Sequence, residues 1–232
     1  MRPTTTSPSR RRARGALGLA AALLLGLSLA VAPPALGEGG ATAARQRPPA
    51  TIYSSGRPRD ARITIPAVHI HRLRVIAYRG RTDDGPGTVI QNRGIAASPY
   101  GPQGGVGPGG LGNYQVTAHR TAHGGVFRRT PSLHRGARIL VDAGRWRYVY
   151  HVVRTRWVSF RSARSLRRQR AAVPGHPGQR PHKGYITVST CATLEDHAHG
   201  DYWTDRYGNP EHRIDKIGVL VRRRPNPYFS RR

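Results

Sequence analysis

The sequence predicts an all-β domain with minor helix, a sandwich or a barrel. Three observations predict it. Short runs rich in Val, Ile and Tyr alternate apolar with polar residues at period two. Turn residues separate these runs along the whole chain. The composition, 28 Gly and 19 Pro among 232 residues with 37% hydrophobic, suits a loop-rich β domain better than a helical bundle. With 1 Met and 3 Phe, the core must come from Val, Ile, Leu, Tyr and Trp.

The first strand signal is ARITIPAVHIHRLRVIAY, from residue 61. Ile63 and Ile65 alternate with polar neighbours, Pro66 interrupts, and Val68 and Ile70 resume before Leu73, Val75 and Ile76. Two short strands around a proline fit this pattern. Residues 81–112 read as a long Gly/Pro-rich connection with a short strand at Thr88–Gln91. NYQVTAHR, 113–120, is the next strand and ends at His119. Residues 136–160 read as a strand, a turn at Ala143-Gly144 and a strand from Trp146 toward Val158, together a hairpin. Residues 161–184 form a basic, partly helical connection ending in a Pro/Gly loop. YITVSTC, 185–191, is a strand; a polar loop runs to about Glu211; RIDKIGVLVRR, from Arg213, is the last strand. RPNPYFSRR is read as a frayed tail. No repeat of solenoid period is present.

The formal charge is +28, from 39 basic and 11 acidic residues, and Lys183 and Lys216 are the sole lysines. Such a balance implies an anionic neighbour: nucleic acid, a lipid headgroup or a cell-wall polymer. The arginine excess is also what GC-rich coding produces. The N-terminus chooses among these partners. Arg10, Arg11, Arg12 and Arg14 precede an uncharged run from Gly15 to Gly37, the pattern of an export signal. Ala35-Leu36-Gly37 has small residues at signal-peptidase offsets, whereas Ala30-Val31-Ala32 is followed by the unfavourable Pro33. The run is also near the ~20 residues needed to span a bilayer. The preceding arginines would then hold that end in the cytoplasm. On either route the rest lies outside the cytoplasm, which argues against nucleic acid as the partner.

These readings divide the chain into a basic segment 1–14, a signal peptide or membrane anchor 15–37, a flexible linker 38–60, a β domain 61–222 and a basic tail 223–232.

Cys191 is the single cysteine. Exported proteins usually carry cysteines in disulfide pairs. A lone one is an inert buried residue, an intermolecular partner or a reactive thiol. A cysteine nucleophile needs a nearby base or cation, because at an ordinary pKa of about 8.5 only a few per cent is thiolate. It also needs a group for the oxyanion of an acyl-transfer intermediate. With 11 histidines in the chain, the presence of His discriminates little. Position discriminates more: His119 and Cys191 each end a strand, and Arg213 opens the strand after the cysteine. Three groups at strand termini can converge on one rim.

Four stretches in order carry a resemblance. NYQVTAHR resembles the histidine motif of sortases, a strand ending in Gly/Ala-His-Arg. ITVSTC resembles their Thr-Leu-x-Thr-Cys motif, and HRIDKIGVLV the strand bearing their essential arginine. RITIPAVHIHRLRV resembles their early strand. The resemblance spans about residues 60 to 222 and is strongest to class E of high-GC Gram-positive bacteria, in keeping with the Gly-rich approach to the histidine, GGVGPGGLGNYQVTAHR. Val188 stands where the family usually has Leu, and Ala118 where it often has Gly. The connection from Cys191 to Arg213 is longer and more acidic than expected for that class, and it contains a second arginine, Arg206. Arg213 is preferred because Ile214, Ile217, Val219 and Val221 place it at a strand start.

The resemblance implies a closed eight-stranded β-barrel and a cysteine transpeptidase. Cys191 would attack the Thr–Gly carbonyl of a signal like Leu-Pro-x-Thr-Gly or Leu-Ala-x-Thr-Gly, forming a thioester. His119 would protonate the leaving amine, and Arg213 would hold the substrate backbone or the oxyanion. The implied partners are secreted proteins bearing a C-terminal sorting signal, a peptidoglycan precursor amine as acceptor, and the membrane through the N-terminal segment, with no nucleic acid. The implied location is the outer face of the cell membrane. No cofactor is implied. The alternative is a non-catalytic basic wall-associated protein with a buried structural cysteine; thiol labelling in the folded state separates the two.

Other polar clusters point elsewhere. His123 follows His119 at a spacing that does not align side chains on a strand end, so no metal site is expected there. Glu195, Asp196, His197, His199 and Asp201 read as a solvated loop, and no metal is assigned to them. Trp146, Tyr148 and Trp157 are expected in the core. The basic stretch Arg164–Arg170 is expected to be a solvated face. GPGGLG precedes a strand, so it is not a dinucleotide loop.

Overall fold

A computed structural model describes residues 51–230. The expected segments 1–14 and 15–37 lie outside the described residues. From Ala61 the alternation of Ile63 and Ile65 forms β1 (Ala61–Ile65). Pro66 opens one 3-10 turn, His69 adopts a left-handed φ of 58°, and the chain returns as β2 (Ile70–Arg79), pairing Ile63 with Leu73.

The remaining elements are α1 (Gly85–Gln91), β3 (Ala96–Tyr100), β4 (Gly112–Thr117), β5 (Arg138–Ala143), β6 (Trp146–Ser159), α2 (Ala163–Arg170), β7 (Gly184–Cys191), α3 (Thr193–Ala198) and β8 (His212–Pro225). The eight strands close in the order β1-β2-β3-β4-β7-β8-β6-β5. The pairs β2–β3 and β4–β7 are parallel. The expected closed eight-stranded barrel is therefore the observed fold. β5 and β6 form the expected hairpin, with Ala143 opposite Trp146 and Gly144 at a φ of 55°.

Several local readings need correction. Thr88–Gln91 belongs to a helix: Asp84 accepts a hydrogen bond from Gly87 N at 2.9 Å and Pro86 sits in the first turn, a start signal that outweighs the β-branched Val89 and Ile90. The Gly/Pro-rich connection contains a full strand, β3, parallel to β2. The strand of the histidine motif ends at Thr117, two residues before His119. The polar loop after Cys191 begins with α3. The tail is not frayed where it is described: β8 runs to Pro225, Asn226 N donates to Arg145 O, and the Arg72 guanidinium lies 3.6 Å from the Tyr228 ring centre. Trp157 is 52% exposed rather than core, while Tyr148 is buried and Trp146 half-buried. Within the expected linker, residues 51–60 hold no helix or strand, yet they are tied to the barrel. Ser54 N donates to Gly109 O at 2.8 Å, Gly107 N to Gly56 O at 2.8 Å, and Ser54 Oγ to Pro108 O at 2.7 Å.

The barrel interior is filled by Ile63, Ile65, Val75, Val116, Ile139, Val141, Tyr150, Ile186 and Val188, all buried. β4 and β7 are buried on both faces. Tyr114, Val116, Ala118, Ile186 and Val188 join the core. The alternate residues Asn113, Gln115, Thr117, Thr187 and Ser189 are polar, equally buried, and covered from outside. Thr82 Oγ1 donates to Gln115, Thr187 Oγ1 donates to Asn113 Oδ1 at 2.8 Å, and Asn113 Nδ2 donates to the Gln169 and Ala171 carbonyls at 3.0 and 3.2 Å. This outer polar strip leads to Cys191.

Candidate active site

The site is built from three strand ends. Cys191 is the last residue of β7 and pairs across the antiparallel ladder with Arg213, the second residue of β8. The Arg213 Nη1 donates to Cys191 Sγ at 2.8 Å. β4 lies parallel on the other side of β7, with Thr117 opposite Ser189. The pairing continues past the strand: Ala118 N donates to Ser189 O at 3.4 Å, and Thr190 Oγ1 donates to Ala118 O at 2.9 Å. His119 therefore emerges level with Cys191. All three residues singled out in the sequence come together at one rim. Arg206 does not: it is exposed, with its guanidinium 4.8 Å from the Tyr207 ring centre.

Arg213 is 1% exposed and clamped. Its Nη2 pairs with the Asp83 carboxylate and donates to Asn209 Oδ1 at 3.3 Å. The Phe160 ring centre lies 4.9 Å from its guanidinium carbon. Asp83, also buried, sits in the β2–α1 connection at a φ of 58°, which Asp tolerates. Its Oδ1 accepts from Thr117 Oγ1 at 3.0 Å and from Gln91 Nε2 at 3.1 Å. Its carbonyl accepts from Asn209 Nδ2 at 3.4 Å. A charge pair removed from water survives best when its remaining donors and acceptors are matched. These contacts match Asp83 Oδ1, while the buried Arg213 Nε has no hydrogen-bond partner among the described residues.

Electrostatics follow from this burial. The Cys191 thiol is 8% exposed, and burial pushes its pKa up; Arg213 opposes that push and Asp83 adds to it. Burial lowers the His119 pKa, and His123 and Arg213 lower it further. Burial alone would lower Arg213, but Asp83, Cys191 and Asp215 outweigh it and raise its pKa. The resting site at neutral pH thus holds a neutral thiol, a neutral imidazole and a charged guanidinium. Among the described residues no hydrogen bond joins Cys191 to His119.

His119 Nε2 lies 2.7 Å from Asn92 Oδ1, so the amide oxygen accepts from Nε2–H and leaves Nδ1 as the free ring nitrogen. His123 stacks on His119 with ring centres 5.2 Å apart. The two rings do meet, contrary to the strand-spacing argument, because His123 (φ 47°), Gly124 and Gly125 reverse the chain. Stacked face to face, they present no chelating pair. Arg120 is buried beside them: it donates to Cys191 O at 3.2 Å and grips both oxygens of Glu195, whose pKa it lowers through that hydrogen bond. It thereby fixes the cysteine backbone to α3. Asp196 is not solvated as expected. It is buried and accepts from His212 N at 3.0 Å, with His212 Nδ1 at 2.9 Å. Ligand atoms of Asp196, Asp201 and His212 lie within 4.8 Å of one another, but both Asp196 oxygens already serve to anchor the start of β8.

Sequence reasoning missed Asp83, Asn209, Asn92 and the partner of Arg120. One local signal was available: Asp83-Asp84 before Gly-Pro marks a helix start, where one carboxylate caps and the other is free to turn inward.

Comparison with known proteins fits this geometry. The sortase domain model matches residues 63–207. None of the curated proteins matches the chain. Among solved structures, the SrtA sortase from Actinomyces oris shares 20% identity at a TM-score of 0.55, over 78% of this chain and 90% of that one. Sortase E1 from Streptomyces coelicolor, solved with a tripeptide in its active site, shares 20% identity at 0.52, over 75% and 93%. The SrtF sortase from Corynebacterium diphtheriae shares 15% at 0.51, over 81% and 97%. These structures share the fold, the domain match covers most of the barrel, and the chain belongs to the sortase family of cysteine transpeptidases.

Proposed function

We propose that this sortase uses Cys191 as nucleophile, His119 as proton carrier and Arg213 as oxyanion and backbone clamp, on a sorting signal resembling Leu-Ala-x-Thr-Gly or Leu-Pro-x-Thr-Gly. One observation carries the assignment: the lone thiol, at a strand end, accepts a 2.8 Å hydrogen bond from a buried guanidinium. His119 follows the adjacent parallel strand at the same level.

The chemistry is balanced by proton movement. The S–C bond forms as Cys191 attacks the Thr carbonyl, and the thiol proton passes to His119, whose Nδ1 is free to accept it. Negative charge develops on the carbonyl oxygen, and Arg213, which stays charged and offers several donors, stabilises it. The C–N bond breaks, His119 gives its proton to the leaving glycine amine, and a thioester remains. An incoming amine attacks the thioester, His119 takes its proton, and the C–S bond breaks. His119 passes that proton to the departing Cys191 sulfur, restoring the thiol and the neutral imidazole. Asp83 and Asn209 act through Arg213, holding its guanidinium on the sulfur. Membership in class E is part of this reading and rests on the sequence motifs.

Sortases act outside the cytoplasm on secreted proteins with sorting signals, joining them to cell-wall amines. For this chain the acceptor is proposed to be a peptidoglycan precursor amine. The run 15–37 is proposed as the membrane anchor. Among the described residues no helix is long and apolar enough to cross a membrane.

The test incubates the full chain with both peptides and an amine acceptor, read by mass spectrometry. Cleavage between Thr and Gly with amine transfer, abolished in Cys191→Ala, is expected. Failure on both peptides while Cys191 alkylates in the folded chain would overturn the substrate class. Failure together with a thiol that resists alkylation until unfolding would overturn the nucleophile.

A further inference from the structure

The barrel end opposite Cys191 carries cations that the catalytic rim does not use. β6 begins there at Trp146 and β8 ends there at Pro225, the two residues being paired. From Arg213 to Arg223 the strand covers about 33 Å at ~3.3 Å per residue. A cavity of about 260 Å³ opens at this mouth, lined by Arg57, Arg59, Arg145 and Arg223 and by Trp146 and Tyr148.

Among the described residues no carboxylate lines the cavity. None of the four arginines has an ion-pair partner among the described residues. The contrast with the buried arginines is direct: Arg147 is paired with Asp142, Arg120 with Glu195 and Arg213 with Asp83. The fold neutralises the arginines it buries and leaves this group uncompensated around a concavity. The group is also held in place. Arg223 donates to Tyr53 O at 3.0 Å and lies 4.5 Å from the Trp146 ring centre, while Arg145 lies 5.6 Å from the same ring. The rim carrying Arg57 is pinned by the hydrogen bonds of Ser54 to Pro108 and Gly109.

Like charges gathered at a cavity repel one another until an anion enters. Guanidinium forks match phosphate oxygens, and barrel mouths are a favoured place for ligands. Two further observations select the source of the phosphate. Tyr228 and Phe229, just beyond β8, are 51% and 48% exposed. Aromatic rings beside arginines suit the headgroup level of a membrane. Tyr53, on the rim, follows the uncharged run ending at Gly37 by at most about 55 Å of extended chain.

We propose that this mouth is a phosphate-binding site that seats the headgroup of an anionic phospholipid, so that the barrel rests on the membrane with the Cys191 end outward. The site is independent of the catalytic assignment. The test uses the full chain and the pair Arg57→Gln/Arg145→Gln, neither of which makes a side-chain hydrogen bond or ion pair among the described residues. The comparison pair is Arg128→Gln/Arg138→Gln, equal in charge and exposed elsewhere on the barrel.

In neutral detergent, titration with inorganic phosphate at constant ionic strength should show binding that weakens about tenfold or more in the mouth pair and less than about twofold in the comparison pair. Equal weakening in both pairs, or no binding beyond that of chloride, overturns the site. The second arm leaves Trp146 as the sole tryptophan through Trp157→Phe and Trp203→Phe, and reconstitutes the chain in nanodiscs. Brominated phosphatidylglycerol should quench Trp146 well beyond brominated phosphatidylcholine, and the mouth pair should remove the difference. Equal quenching by the two lipids overturns the membrane seat and leaves soluble phosphate as the ligand.

Discussion

The inner and outer faces of β4 and β7 are buried alike but built from opposite chemistry. Inside, Tyr114, Val116, Ile186 and Val188 pack against apolar neighbours and depend on volume. Outside, Asn113, Thr117, Thr187 and Ser189 are covered by α2 and the α1 connection and depend on matched hydrogen bonds. The outer strip ends in Cys191 and Arg213, so the proposed chemistry sits at the end of a covered polar seam rather than in the core. Burial alone does not tell the two faces apart; the cost of removing one group does.

The largest effects should come from the charged pair on the outer face. Arg213→Ala or Asp83→Asn leaves the other member buried and unmatched, and each should cost about 3–5 kcal/mol of stability in denaturant unfolding. Arg213→Ala should also lower transpeptidation by about 10²-fold or more. Wild-type activity should show a broad bell in pH, rising through a His119 pKa below 6.5 and falling through a Cys191 pKa above 9.0. Asp83 raises both values, so Asp83→Asn should move both limbs to lower pH. Unmoved limbs would make Asp83 a purely structural group.

On the inner face, Ile186→Ala should cost about 2–5 kcal/mol through lost burial and a residual cavity. The rate of Cys191 alkylation, measured where the variant is still folded, should stay within a few-fold of wild type. A large change would mean that the two faces are coupled.

Asp215 gives a test of opposite sign. Burial pushes its pKa from 3.8 up to about 6, against the hydrogen bonds from Ser189 and Gln169. A carboxyl raised in the fold contributes stability that is present at low pH and lost as pH rises through about 6. Asp215→Asn should therefore stabilise the protein at pH 8 by up to about 3 kcal/mol, with the gain vanishing near pH 4. The smallest effect belongs to exposed Trp157, where Ala should change stability by less than about 0.5 kcal/mol.

The strand positions were legible because period-two alternation marks where a strand runs, although the histidine-bearing strand stops at Thr117, two residues short of the expected end. Alternation placed His119, Cys191 and Arg213 near strand ends, and the motif resemblance singled them out. Asp83, Asn92 and Asn209 were not legible, since each lies in a connection whose path is set by tertiary packing. Asn209 reaches Arg213 only because the long segment after α3 folds back on the α1 connection. The same limit explains Thr88–Gln91, where capping at Asp84 outweighed β-branched composition.

The strand order has a consequence for how the chain matures. β4 and β7 are neighbours in the barrel, yet hairpin, helix and loop separate them in the chain, and β1 must wait for β5 before the sheet can close. Barrels that rely on such distant pairings close slowly and spend longer as partly assembled chains. Several cysteines would let such a chain oxidise into wrong cross-links on the way. A chain with 1 Cys can form no internal disulfide, so its slow maturation cannot be trapped by one.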